Sequence, residues 1–331
     1  MKRFQNTILH RVETSNKYPK SSDNSTESYF FQPIEADENP TKSTIYTYTN
    51  SLDHTDIHGH ILSFLDQKNL VNIRLINKPT NKFVCNNINK SLSIRLTNAN
   101  QINGFVDYFK DIDKNKGEDA LLKNINILSL NINSVNVSIN KFQQLIEQLE
   151  KATIINLHLK IEHITNFAYI EYLANSGMRN LTTLGLKYSD ISDDGAIALA
   201  NGNLNSLTKL NLSGCRNNFD YRRNPIGIKG FTALSNGNLS SLTALDLSCN
   251  IMDDECPKVI ANGNLSNLTK LNLRNFNVAG LGGISNKGAI ALANGNLNNL
   301  TTLDLAYNEI GNEGATAIAN GNLSRLVTLR L

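Results

Sequence analysis

Leucine recurs along the C-terminal part of the chain in a fixed pattern: a leucine, two variable residues, a second leucine, one variable residue and a third. The pattern falls on Leu181/Leu184/Leu186, Leu207/Leu210/Leu212, Leu242/Leu245/Leu247, Leu268/Leu271/Leu273, Leu300/Leu303/Leu305 and Leu326/Leu329/Leu331. Successive copies lie 26, 35, 26, 32 and 26 residues apart, so a period of 26 carries nine extra residues in one repeat and six in another. The last two leucines of each copy alternate with one residue, which puts both on the same face of an extended strand. Between strands, the run from Gly195 to Ala200 is rich in helix formers, and Ser192, Asp193 and Asp194 before it suit the amide-rich start of a helix. Asn201-Gly202 then predicts a left-handed turn at the helix end.

Weaker copies stand upstream at Ile125/Leu128/Leu130 and Ile154/Leu157/Leu159, with Ile94/Leu96 as a degenerate start. One strand-turn-helix unit cannot hide its apolar face alone, but stacked copies bury a continuous core. The expected fold is therefore an α/β horseshoe solenoid over residues 91–331, with parallel strands inside, helices outside and up to eight strands. The repeats resemble leucine-rich repeats of the ribonuclease-inhibitor subtype, with Asn250, Asn308 and Cys215 where that family places Asn or Cys three residues past the strand. Ser189 and Phe276 depart from the pattern, so the resemblance implies an imperfect turn ladder at those two places.

The N-terminal part reads differently. Residues 1–50 are rich in Ser, Thr, Asn and Lys with little periodicity, and are expected to form a disordered or loosely attached arm. Residues 51–90 are apolar at helical spacing, with Ile57, Ile61, Leu62, Phe64 and Leu65 on one face, Leu70, Ile73 and Ile76 on a second, and Pro79 as the stop. Two readings stand side by side. A helical cap would shield the first repeat of a solenoid. Alternatively, Asp56-Ile57, Ile61 to Leu65, Asn69-Leu70 and Leu75-Ile76-Asn77-Lys78 resemble an F-box in order and spacing. That resemblance implies docking to a Skp-type adaptor through Ile57, Ile61, Leu62, Phe64, Leu65, Leu70 and Ile76. The segment departs from it at Asp53-His54, where the family has Leu-Pro, and lacks the family's downstream Trp. The recurring Gly-Ala-x-Ala-Leu-Ala is similar to GALA-type bacterial F-box/leucine-rich-repeat effectors, which act in a host cell.

Composition narrows the function classes. A net charge of +3 and the lack of a basic tract argue against a dedicated nucleic-acid surface. No apolar run is long enough to span a bilayer, and no continuous apolar stretch follows Lys2-Arg3, so neither membrane insertion nor a signal peptide is expected. Four cysteines without a C-x-x-C pair fit a reducing, cytoplasmic compartment, or host cytoplasm for an effector. His54, His58 and His60 lack a third well-spaced partner, and Gly280 to Gly283 lacks the Lys-Ser/Thr of a phosphate loop. No metal, cofactor or catalytic set is expected, and the chain reads as a non-enzymatic protein-binding module.

Binding residues are then sought on surfaces. Ser129, His158, Gly185, Asn211, Asp246, Asn272, Asp304 and Arg330 stand between core leucines and are expected on the concave face, with Lys160, Lys187 and Arg274 one step further. Tyr188 and Tyr307 are the aromatic anchors there. Both insertions follow a strand and precede a helix, and the first offers Phe219, Tyr221, Arg222 and Arg223. The leading expectation is an F-box-like adaptor presenting a repeat surface to a ubiquitin ligase. The alternatives are a plain scaffold with capping helices and a RanGAP-like GTPase regulator, for which no arginine matches by position. Because Leu329 and Leu331 close the sequence without a covering helix, self-association through the last strand is also expected.

Overall fold

The computed structural model describes residues 73–76, 82–85, 91–96, 102–103, 105–106, 127–132, 137–152, 154–162, 164, 166–214, 224–275 and 283–331. The arm at 1–50 and the residues Ile57, Ile61, Leu62, Phe64, Leu65 and Leu70 lie outside them. Strands β1 (Ile73–Ile76) and β2 (Lys82–Cys85) pair antiparallel, with Ile73 opposite Cys85 and Ile76 opposite Lys82. Ile73 and Ile76 are thus strand residues, which corrects the expected helix at this point. Isoleucine, valine and phenylalanine favour the pleated backbone, and the intervening Asn-Lys-Pro-Thr-Asn supplies turn formers.

The solenoid itself is one open parallel sheet whose strands follow chain order. They are β3 (Ser91–Leu96), β4 (Ile127–Ile132), β5 (Asn156–Ile161), β6 (Leu181–Gly185), β7 (Lys209–Asn211), β8 (Ala244–Asp246), β9 (Lys270–Asn272), β10 (Thr302–Asp304) and β11 (Thr328–Arg330). Among the described residues the sheet has nine strands where at most eight were expected, because the segment around Ile94 and Leu96 pairs with β4 over six residues. The helices are α1 (Ile139–Lys151), α2 (Phe167–Asn175), α3 (Asp193–Asn201), α4 (Ile228–Asn236), α5 (Glu255–Asn262), α6 (Asn286–Asn294) and α7 (Asn312–Asn320). Consecutive helices pack on one another on one side of the sheet. Strands repeat at about 4.8 Å and packed helices at about 8–10 Å, so the sheet must bend with its strand face inside the curve.

The repeat leucines fill the space between the layers. Leu184, Leu186, Leu210, Leu212, Leu245, Leu247, Leu271, Leu273, Leu303 and Leu305 are all 0% exposed. Upstream the register differs. Between β5 and β6 it shifts at Leu157/His158, so that Leu159 pairs with Leu184 and Lys160 with Gly185. The core triplets of the first strands are therefore Leu128/Leu130/Ile132 and Leu157/Leu159/Ile161, all buried, one step later than the spacing suggests.

Close stacking explains the small residues. Gly202, expected to turn left-handed, and its counterparts Gly237 and Gly263 have φ of −76°, −79° and −82° and are extended. They are glycines for want of room: a Cβ on Gly237 would lie 2.5 Å from the Ala200 carbonyl oxygen. That approach lets the next residue bond the preceding helix, with Asn238 N donating to Ala200 O at 2.7 Å and Asn264 N to Ser235 O at 2.7 Å. On the other side, a threonine ladder joins the strand starts. Thr208 Oγ1 donates to Thr182 O, Thr243 to Thr208, Thr269 to Thr243 and Thr301 to Thr269, at 3.0 to 3.1 Å.

Candidate functional site

The strand face carries no apolar row in the repeat region, and its residues follow from the alternation in each strand. Where Leu210 and Leu212 point to the helices, Lys209, Asn211 and Ser213 point the other way. Pairing aligns these positions across strands: Thr183, Lys209, Ala244, Lys270 and Thr302 form one row, and Lys160, Gly185, Asn211, Asp246, Asn272, Asp304 and Arg330 the next. Through the register shift, His158 stands beside Thr183, not beside Gly185 as the leucine spacing implied.

The second row is not a solvated strip. Asn211, Asp246, Asn272 and Asp304 are 2%, 0%, 4% and 3% exposed. The reason is local. In each, Oδ1 accepts from the backbone N–H two residues on, at Ser213 (2.9 Å), Ser248 (3.0 Å), Arg274 (3.0 Å) and Ala306 (3.1 Å). The side chain therefore folds along the strand end instead of standing away from it. The remaining polar atom reaches sideways. Asn211 Nδ2 donates to Asp246 Oδ2 at 3.2 Å, the Asn272 side chain also bonds Asp246, and Arg330 Nη1 lies 3.3 Å from Asp304 Oδ2. The sequence Asn-Asp-Asn-Asp-Arg thus alternates donor and acceptor along the row, with Asp246 held between two amides and Asp304 met by Arg330. Burial pushes the Asp246 carboxyl above its usual range, while bonds from Ser248, the Lys187 charge and Asn272 pull the other way.

Above this ladder lie the cations. Lys160, Lys187, Lys209 and Arg274 are half-buried and Lys270 is exposed. Arg274 stacks over the Tyr307 ring at 4.5 Å from its centre, and Tyr307 is 46% exposed. Tyr188, Cys249 and Tyr307 occupy one position of three repeats and have φ of 55°, 61° and 61°. Left-handed backbone at a non-glycine residue is strained, and here it turns the chain sharply off the strand end. At the upstream end, the His158 ring bonds Ser129 Oγ at 3.3 Å, and burial together with Lys209 and Lys160 holds its pKa below the ordinary value.

Of the expected partner-facing residues, the fold thus brings Arg274 and Tyr307 into contact and sets Lys187 near Asp246. Asp246 and Asp304 belong to the buried ladder beneath the surface. Phe219, Tyr221, Arg222 and Arg223 of the first insertion lie outside the described residues. So do Cys215 and Phe276. The ladder position assigned to Cys215 is taken by Asn224, which is fully buried: Oδ1 accepts from Ser189 N (3.0 Å) and Ile191 N (3.1 Å), and Nδ2 donates to Leu212 O (2.7 Å). The nine extra residues precede that position instead of following it. Asn250 and Asn308 do what their spacing predicts, donating to Leu247 O and Leu305 O, each at 2.9 Å. Ser189 does not break the ladder either, since its hydroxyl accepts from Ile164 N at 3.2 Å and donates to Lys187 O at 3.0 Å.

The Cys256 thiol is not poised as a nucleophile. Burial, with Asp253 and Asp193 nearby, pushes the Cys256 thiol up to about 12. Among the described residues no group of three His, Cys, Asp or Glu side chains is arranged to hold a metal ion, and His54, His58 and His60 lie outside them. No helix among them is long and apolar enough to cross a membrane.

A comparison with protein families agrees with the repeat reading. A leucine-rich-repeat family model matches residues 177–200, 238–255 and 296–319. No match was found among curated proteins. Among solved structures, an internalin from Listeria monocytogenes is similar at 17% identity, covering 64% of this chain and 75% of that one, with a TM-score of 0.22.

Proposed function

We propose, from the premise that the chain is built of leucine-rich repeats, that it is a protein-binding scaffold holding its partner on the strand face. The observation that carries this reading is the buried Asn-Asp-Asn-Asp row, met at its end by the exposed Arg330, which fixes the backbone under a layer of cationic and aromatic side chains. Pre-ordered side chains lose less entropy on binding. Lys160, Lys187, Tyr188, Arg274 and Tyr307 make the contact surface, and Phe219, Tyr221, Arg222 and Arg223 of the first insertion, outside the described residues, are the further candidates for partner contact. The test is co-purification from cells that express the chain. Lys187→Glu with Arg274→Glu should lose what the wild type retains, whereas Lys287→Glu, on the exposed side of α6, should keep it. Equal retention by all three would count against the strand face.

A finer reading gives the scaffold its machine: residues 51–90 dock a Skp-type adaptor, and the repeats present a substrate to a ubiquitin ligase. Its support is the order of Asp56-Ile57, Ile61 to Leu65 and Asn69-Leu70. The hairpin of β1 and β2 confines any helical docking face to residues before Ile73. A purified Skp-type adaptor should bind the wild type and not Leu65→Arg; failure to bind the wild type would end this reading.

A further inference from the structure

The strand rows are unequal in charge. Among the described residues, Lys160, Lys187, Lys209, Lys270, Arg274 and Arg330 stand on them. Their acidic counterparts are Asp246 and Asp304, both buried in the ladder, and Glu162, just past the end of β5. The two aspartates are already committed to Ser248, Asn211, Ala306 and Arg330. Positive charge therefore faces outward and negative charge faces in.

Within this surface one place is specific. Lys209 and Lys270 belong to the same row on strands two apart, with Ala244 between them. At a strand spacing of about 4.8 Å their backbones are about 10 Å apart. Ala244 fills only the floor of the gap and is itself 4% exposed. The two lysines thus flank a position where the row carries only a methyl group, a notch in the line of side chains, and Lys209 is held below its usual pKa, by burial first and then by the Lys270 charge. The same crowding recurs next door, where Lys209 and Lys160 act on His158. A sheet position that could have carried an aspartate or a bulky residue instead leaves two like charges converging on a small one. An anion in the notch would relieve both.

We infer that the strand face recognises an acidic, extended segment of a protein partner, with one carboxylate seated over Ala244 between Lys209 and Lys270. This rests on the strand face being the binding face. The occupant is peptide and not nucleic acid for two reasons. The cations are mostly lysines, suited to single carboxylates, with Arg274 already stacked on Tyr307. The net charge of the whole chain is only +3.

The test uses the full chain and three labelled probes, oligoglutamate, oligolysine and oligo(dT), with binding read by fluorescence anisotropy. Oligoglutamate should bind, weaken as salt rises, and lose about tenfold or more in affinity with Lys209→Gln/Lys270→Gln. Ala244→Glu, which places a carboxylate of the chain's own in the notch, should have the same effect, and Lys287→Gln should have none. Absence of oligoglutamate binding, binding indifferent to the Lys209 and Lys270 pair, or tighter binding of oligo(dT) would each overturn the inference. If Lys187→Glu/Arg274→Glu abolishes co-purification while oligoglutamate fails to bind, the strand face stands and only its acidic occupant falls.

Discussion

At the scale of single residues, position in the repeat decides which polar group is allowed. Asn211 must be an amide because both of its roles are taken: Oδ1 accepts from Ser213 and Nδ2 donates to Asp246. Asn211→Asp would set a second buried carboxylate against Asp246, and should destabilise the fold at neutral pH by about 3 kcal/mol, with most of the loss recovered on acidification. Urea unfolding at pH 7 and pH 4 checks this; an equal loss at both would mean the row is not electrostatic. Asp254 makes the opposite case. Desolvation pushes its carboxyl up, but bonds from Ser285 Oγ (2.7 Å), Ser285 N (2.8 Å) and Gly288 N (3.0 Å) outweigh it and hold the pKa below the usual range. Since the folded value is the lower, the folded state binds fewer protons, and the contribution is present above the unfolded value and lost as pH falls through the folded one. Asp254→Asn should fold, because Asn286 fills the same place one repeat on, accepting from Gly311 N and Gly314 N. Its unfolding midpoint should then lack the part of the acid-side decline that Asp254 contributes to the wild type.

The starts of α4, α6 and α7 are capped from the preceding repeat, whereas α1 and α2 carry their own caps at Ser138 and Asn166. Asp193 was expected to cap its own helix, yet its Oδ1 accepts from Gly227 N (2.7 Å) and Gly230 N (2.9 Å) at the start of the next one, α4. Ser192, the N-cap of α3, makes no side-chain capping bond. Asp193→Ala should accordingly speed amide hydrogen exchange at the start of α4 more than at the start of α3, at a cost of about 1 kcal/mol. Faster exchange confined to α3 would contradict the trans arrangement. Packing at the other helix end is as strict: Gly237→Ala should cost about 1–3 kcal/mol by overpacking against Ala200, visible as a lower unfolding midpoint.

How much of this was legible depended on what periodicity can encode. The leucine spacing placed β6 to β11 and the side of each strand that is buried, and it found Asn250 and Asn308 in the turn ladder. It could not say where within a repeat nine extra residues fall, so Asn224 was missed and Cys215 put in its place. Alternation tells which face a side chain leaves from, but not how far it stands out, and the Asx bonds that bury Asp246 and Asp304 were invisible in it. Short β-branched runs such as Ile73 to Ile76 fit helix and strand equally well, and only pairing with Lys82 to Cys85 decides between them.

For the molecule as a whole, ladders on both sides of the leucine core tie each repeat to its neighbour: threonines at the strand starts, Asx residues on the strand face, asparagines in the turns and amides behind the helices. Each repeat contacts its neighbours, so stability is a sum of unit and interface contributions, and the strand face is presented as a single fixed surface. That surface is the central claim, and site-specific photo-crosslinking tests it most directly. A photoreactive residue placed at Thr302, half-exposed on the strand face, should capture a protein partner in cells that express the chain, while the same residue at Thr232, exposed on α4, should not. Capture from Thr232 alone would place the binding surface on the helices and contradict the account.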